Sequence, residues 1–142
     1  MQAALKEAEL AYDLGEIPIG AVITLHGEII GRGYNLKETL NDPTLHAEIV
    51  AVRDAAARLG TWRLTGTTIY VTIEPCPMCA GALVQARVKR LVYGADDPKA
   101  GAVGSLMDLV RDPRLNHRIE VTRGILAEES RQILQRFFTK IR

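Results

Sequence analysis

Apolar residues recur in this chain with two different periods, and the switching between them outlines the fold. Residues 2–14 carry Ala3, Ala4, Leu5, Ala8, Leu10, Ala11 and Leu14 among charges. That is the three-to-four spacing of one helix face, and Gly15 is a natural stop. The run Pro18-Ile19-Gly20-Ala21-Val22-Ile23-Thr24-Leu25 is apolar and partly β-branched and predicts a strand. His26-Gly27-Glu28 predicts a tight turn, and Glu28 to Tyr34 the returning strand. Asn35 to Thr44 is polar, with Asn41-Asp42-Pro43 as its turn signal. Helical spacing resumes over 46–59 and closes at Gly60. Thr67 to Ile73 predicts a strand. Pro75 to Ala86 predicts a helix with proline near its first turn, where a missing N–H does no harm. Val88 to Tyr93 predicts another strand, Gly94 to Gly104 a loop, Leu106 to Val110 a short helix and Arg118 to Thr122 a last strand. Glu128 to Phe138 predicts the closing helix. A hairpin followed by crossover helices implies an α/β fold: a three-layer α/β/α sandwich around a central mixed five-stranded sheet.

The chain has 142 residues, so one domain spanning 1–142 with its own core is expected. Hydrophobic residues make up 47% and charged ones 25%, ordinary for a water-soluble protein. No run approaches the ~18 apolar residues of a membrane span. The start, Met1-Gln2-Ala3-Ala4-Leu5-Lys6-Glu7, lacks a signal-peptide profile, which points to the cytoplasm. The formal charge is only +1, so no global basic field marks a nucleic-acid binder. Positive charge is nonetheless concentrated late, at Arg111, Arg114, Arg118, Arg123, Arg131, Arg136, Lys140 and Arg142.

Two short segments carry the chemistry. Pro75-Cys76-Pro77-Met78-Cys79 holds both cysteines of the chain, and His46-Ala47-Glu48 holds one of its three histidines. Two thiolates and an imidazole suit tetrahedral zinc with one corner open, whereas two cysteines are too few for a closed four-cysteine structural site. At an open corner zinc lowers the pKa of water from ~15.7 to about 7. Cys76 and Cys79, three apart at a helix start, share a face there, and the helix N-terminus favours their ionised forms. His46 opens another helix, with Glu48 in its first turn, placed to carry protons. Taken singly, each residue has a plainer role: a helix cap, a dipole partner or a thiol–disulfide pair. A redox pair leaves His46 and Glu48 idle, and a purely structural zinc leaves Glu48 unexplained.

His-Ala-Glu followed by Pro-Cys-x-x-Cys resembles the signature of the zinc-dependent cytidine and deoxycytidylate deaminase superfamily. Within it the chain resembles the bacterial tRNA adenosine deaminases nearly end to end. The likeness runs through Gly15 to Val22, Asp42 to Glu48, Tyr70 to Ala82, Gly101 to Leu106, Leu115 to Arg118 and Phe137-Phe138. It implies hydrolysis of the wobble adenosine of a tRNA anticodon to inosine, with release of ammonia, by a homodimer holding one zinc per subunit. It implies that His46, Cys76 and Cys79 bind the metal and that Glu48 moves protons. It further implies that Asn35 and the backbone at Ala47 hold the flipped nucleotide. Glu16, Asp97 and Lys99 would then meet the anticodon stem-loop, with Asp97 on a ribose 2′-OH. Asn116 and His117 would line the nucleotide path, and Phe137 or Phe138 would stack on a splayed base. Asp97 also suits a loop cap, Asn35 a turn, and one phenylalanine the core. Asp96 stands where relatives often carry a basic residue. The alternative within the superfamily is a deaminase of free guanine, cytosine or cytidine.

Overall fold

The computed structural model describes residues 1–141. Its elements are α1 (Gln2–Asp13), β1 (Gly20–Leu25), β2 (Glu28–Tyr34), α2 (Ala47–Leu59), β3 (Thr68–Ile73), α3 (Pro77–Gln85), β4 (Arg90–Ala95), β5 (Glu120–Thr122) and α4 (Ala127–Lys140). The sheet order is β2-β1-β3-β4-β5. β1 pairs antiparallel with β2 and β3, while β3, β4 and β5 run parallel, which gives the expected mixed sheet. The hairpin turns at His26 and Gly27, both at positive φ, as a two-residue turn between right-twisted strands requires.

Small residues bring the helices unusually close to the sheet. Gly33 pairs with Ala21 on one face, and Gly20 pairs with Tyr34 on the other. A Cβ on Gly33 would stand 2.4 Å from the Ala47 carbonyl oxygen, and one on Gly20 would stand 2.1 Å from that of Ala4. The helical side answers with alanines: Ala47, Ala51 and Ala55 in α2, and Ala4, Ala8 and Ala11 in α1, are fully buried. Their spacing of three or four places each set on one face. α2 and α3 therefore cover one side of the sheet and α1 and α4 the other. The larger apolar side chains, among them Ile23, Ile69, Val71, Leu83, Leu91 and Tyr93, fill the layers between.

One predicted element is absent. Residues 106–110 form turns and an isolated antiparallel bridge between Val103 and Asp108, not a helix. A helix needs its N–H groups for carbonyls four residues back. Here Leu106 donates five residues back to Gly101, Leu109 seven back to Ala102, and Gly104 forward to Met107, while the preceding Val103 and Ser105 N–H groups are held by the Glu74 carboxylate. Elsewhere the differences are at element ends. β1 starts at Gly20 rather than Pro18, and β4 is displaced two residues toward the C-terminus, so that Ala95 pairs with Ile73.

Candidate metal centre and active site

β3 delivers the thiols. After Ile73 the chain leaves the sheet through Glu74-Pro75, and Cys76 becomes the N-cap of α3 with extended backbone. Pro77 starts the helix, and Cys79 lies buried one turn in. The imidazole arrives from the neighbouring helix on the same side of the sheet. Asp42 accepts from the Thr44 N–H (2.9 Å) and hydroxyl (2.7 Å), and the His46 N–H returns to the Thr44 carbonyl at 2.8 Å. This makes His46 the N-cap of α2. Both helices thus present their N-termini to one point, where the dipoles favour thiolate and carboxylate.

His46 Nδ1 lies 3.5 Å from Cys76 Sγ and 3.6 Å from Cys79 Sγ, and all three ligand atoms are within 4.8 Å of one another. Zinc bonds of about 2.3 Å to sulfur and about 2.05 Å to nitrogen, at a tetrahedral angle of about 109°, require N···S edges of about 3.6 Å. The donor set and its spacing therefore fit that ion. Cys76 is pulled down to about 4, first by the hydrogen bond from the Cys79 thiol and then by His46. Cys79, which keeps its proton against that neighbour and is buried, is pushed up. Glu48, the second residue of α2, is only 4% exposed, and burial raises its carboxyl to about 7. With His46, Cys76, Glu74, Asp97 and Ala100 it lines a cavity of about 100 Å³. A second cavity of about 390 Å³ shares Ile19, Ile73 and Asp97 with the first and extends past Lys99 and Arg131 to Phe138.

A curated tRNA-specific adenosine deaminase of Bacillus subtilis (strain 168) is 51% identical to this chain over 142 residues, covering 100% of the chain and 88% of the relative. The chain belongs to the tRNA-specific adenosine deaminases. The family model for MafB19-like deaminases also matches residues 1–142. A solved structure from work on A-to-I editing by tRNA:A34 deaminases at the wobble position of transfer RNA is similar with TM-score 0.90 and 47% identity, covering 94% of this chain and 96% of that one. The guanine deaminase structure from Bacillus subtilis is 34% identical, with TM-score 0.66, covering 97% of this chain and 90% of that one.

Against that tRNA-specific adenosine deaminase background the expected substrate contacts divide. Asp97 and Lys99 line the larger cavity, and the Asp97 carboxylate also caps its own turn by accepting from the Lys99 and Ala100 N–H groups. Phe138 lines the same cavity at 41% exposure, while Phe137 is buried edge-on against Tyr12 at 6.2 Å. Phe137 is therefore core. Asp96, at the expected basic position, is taken up by the Tyr93 hydroxyl at 2.8 Å. Ala47 opens α2, so its N–H has no acceptor within the helix. Asn35 is buried, donates to the Ile17 carbonyl and accepts from the Lys37 N–H, which leaves one amide proton and one lone pair.

Glu16 and His117 are engaged within the fold itself. Glu16 is 1% exposed, and its two oxygens accept from the Glu38 (3.1 Å) and Thr39 (2.6 Å) N–H groups. It holds the loop before His46 in place, and those donors keep it ionised despite burial. His117 Nε2 donates to the Val88 carbonyl at 2.7 Å, before β4 begins. The metal cluster lies past the other end of the parallel strands, a six-residue strand or roughly 20 Å away. His117, with Asn116 beside it in sequence, is thus anchored at the opposite end of the parallel strands from the metal cluster. Glu74 was assigned no role by the sequence reading. A charged residue closing an otherwise apolar strand was the available signal.

Proposed function

We propose that residues 1–142 act as one catalytic domain, a zinc-dependent hydrolase that converts the wobble adenosine of a tRNA anticodon to inosine. The observation that carries the chemistry is the convergence of His46 Nδ1 and the two cysteine sulfurs beside buried Glu48. In this reading His46, Cys76 and Cys79 hold one zinc per subunit, which supplies a Lewis acid and a water acidified to near neutrality. Glu48 accepts the proton that the attacking water sheds and places it on the ring nitrogen. It then moves a proton to the exocyclic amine, so that a C6–O bond replaces the C6–N bond and ammonia leaves. A carboxyl poised near 7 suits a group that must both take and give protons at neutral pH. The Ala47 N–H and the remaining amide functions of Asn35 are assigned to the base.

The choice of RNA rests on the 51% identity over the whole chain and on the larger cavity. Asp97, Lys99, Arg131 and Phe138 offer a hydroxyl acceptor, two cations and a stacking ring, which an extended RNA strand uses and a free base does not. A homodimer is part of the reading. The support is a cavity between α2 and α3 lined by Val52, Ala56, Ala82 and Ala86, beside Trp62 at 58% exposure. In such a dimer Asn116 and His117 are assigned to the nucleotide path. A cytoplasmic location follows from a tRNA substrate, and no helix among the described residues is long and apolar enough to cross a membrane.

The guanine deaminase at 34% identity keeps a second reading open: deamination of a free nucleobase or nucleoside. Incubating the purified protein with an ACG-anticodon stem-loop, and separately with guanine, cytosine, cytidine and adenosine, decides between them. Inosine at the wobble base with the small molecules unchanged is expected. Turnover of a free base with the stem-loop intact would replace the RNA reading with the alternative.

A further inference from the structure

We propose that Glu74 is a positioning residue for RNA recognition, tying the loop that carries Asp97 and Lys99 to the turn that carries Cys76. The inference rests on the RNA reading above. Glu74 is 3% exposed. Its Oε1 accepts from the Asp97 N–H (3.0 Å) and the Ser105 hydroxyl (2.5 Å), and its Oε2 from the N–H groups of Val103 (2.9 Å) and Ser105 (3.1 Å). Four donors saturate the roughly four lone-pair sites of a carboxylate. Gly101 leaves room for the carboxylate: a Cβ there would stand 2.3 Å from the Glu74 carboxyl carbon and displace it. Neighbouring backbone completes the attachment, with Ala102 N–H on the Pro75 carbonyl and Glu74 N–H on that of Ala95.

Residues 96–105 lie in no named helix or strand, so this side chain supplies fixed acceptors that a backbone ladder would otherwise provide. Its functional consequence comes from what it joins. Asp97 and Ala100 on the loop, and His46, Glu48 and Cys76 at the metal centre, wall one cavity together with Glu74. The carboxylate two residues from a proposed zinc ligand thereby helps to set the offset between the proposed ribose contact and the reacting atom.

Glu74→Gln keeps the shape and one accepting oxygen but turns an amide N–H toward N–H donors. With zinc content at the wild-type level, KM for the stem-loop is expected to rise roughly tenfold, about one charge-assisted hydrogen bond, with kcat at saturation within about twofold. Amide hydrogen exchange is expected to quicken at Asp97, Val103 and Ser105 and not elsewhere. Asp97→Asn, which keeps the turn cap, should raise KM roughly tenfold in the wild type but less than about twofold in the Glu74→Gln background, the signature of coupled residues. If Glu74→Gln fails to fold, Ser105→Ala removes one donor from the same carboxylate, and KM should then rise about threefold. Additive effects of Glu74→Gln and Asp97→Asn, unchanged exchange in the loop, or a loss confined to kcat would overturn the proposal. A wild type that leaves the stem-loop untouched overturns the RNA reading instead, and the exchange comparison then decides alone whether Glu74 holds the loop.

Discussion

Substituting alanine for Gly33 probes how the fold aims the metal centre. The new Cβ would lie 2.4 Å from the Ala47 oxygen, 2.5 Å from the Ala51 nitrogen and 2.9 Å from the Val50 Cβ. Ordinary contact begins near 3.4 Å, so α2 must back away from β2 by roughly 1 Å at its first turn. Overpacking of this kind costs about 1–3 kcal/mol, which lowers Tm by roughly 3–12 °C for a chain of this length. The same turn carries His46 and Glu48, and ligand distances tolerate only about 0.2 Å. Zinc affinity should therefore fall by at least about tenfold, and turnover with it. Gly31→Ala is the control. It meets Ala51 oxygen at 2.7 Å and Ala55 Cβ at 2.8 Å, one turn further from His46. It should lower Tm comparably and spare zinc affinity. The assays are thermal unfolding by circular dichroism and zinc competition against a chromogenic chelator. Unchanged Tm and zinc affinity in Gly33→Ala, or equal zinc loss in both variants, would refute the reasoning.

Glu48→Ala should retain fold and zinc and lose turnover by about 10²- to 10⁴-fold, the range of general acid–base contributions; full activity would remove it from the proton path. Phe137→Ala should cost about 3–5 kcal/mol in urea denaturation, because it empties a core position against Tyr12. Phe138→Ala should leave stability within about 1 kcal/mol and raise KM for the stem-loop roughly tenfold, the value of one base stack. The reverse pattern would exchange their roles. Glu16 has its pKa held below the ordinary 4.5 in the folded state, so its contribution is complete above that value and is lost as pH falls through the depressed one. The stability gap between wild type and Glu16→Gln should accordingly be constant near neutrality and shrink below pH 4.5; a gap unchanged down to pH 3 would contradict this.

The strands, the four helices and the His46, Cys76 and Cys79 cluster were readable because each depends on local pattern: period, turn residues and ligand spacing. The loop after β4 was not. Leu106, Met107, Leu109 and Val110 mimic a helix face, but the donors around them are claimed by Glu74, some thirty residues earlier in the chain. The hold of Glu16 on the loop was likewise not legible, because its acceptors meet the Glu38 and Thr39 N–H groups some twenty residues further along the chain. The division of the phenylalanine pair was legible in principle. Ser130, Ile133 and Phe137 are all buried and spaced three and four apart, which turns Phe138 about 100° away from the core. The placement of Asn116 and His117 needed the direction of β5, which pairing with β4 decides and composition does not.

The metal centre itself is tested most directly by zinc K-edge X-ray absorption on protein purified without added metal. One zinc per chain is expected, with two sulfurs at about 2.3 Å, one imidazole nitrogen near 2.0–2.1 Å and one further light atom. An all-sulfur shell, or purified protein with no zinc and Cys76 joined to Cys79 in a disulfide, would contradict the account.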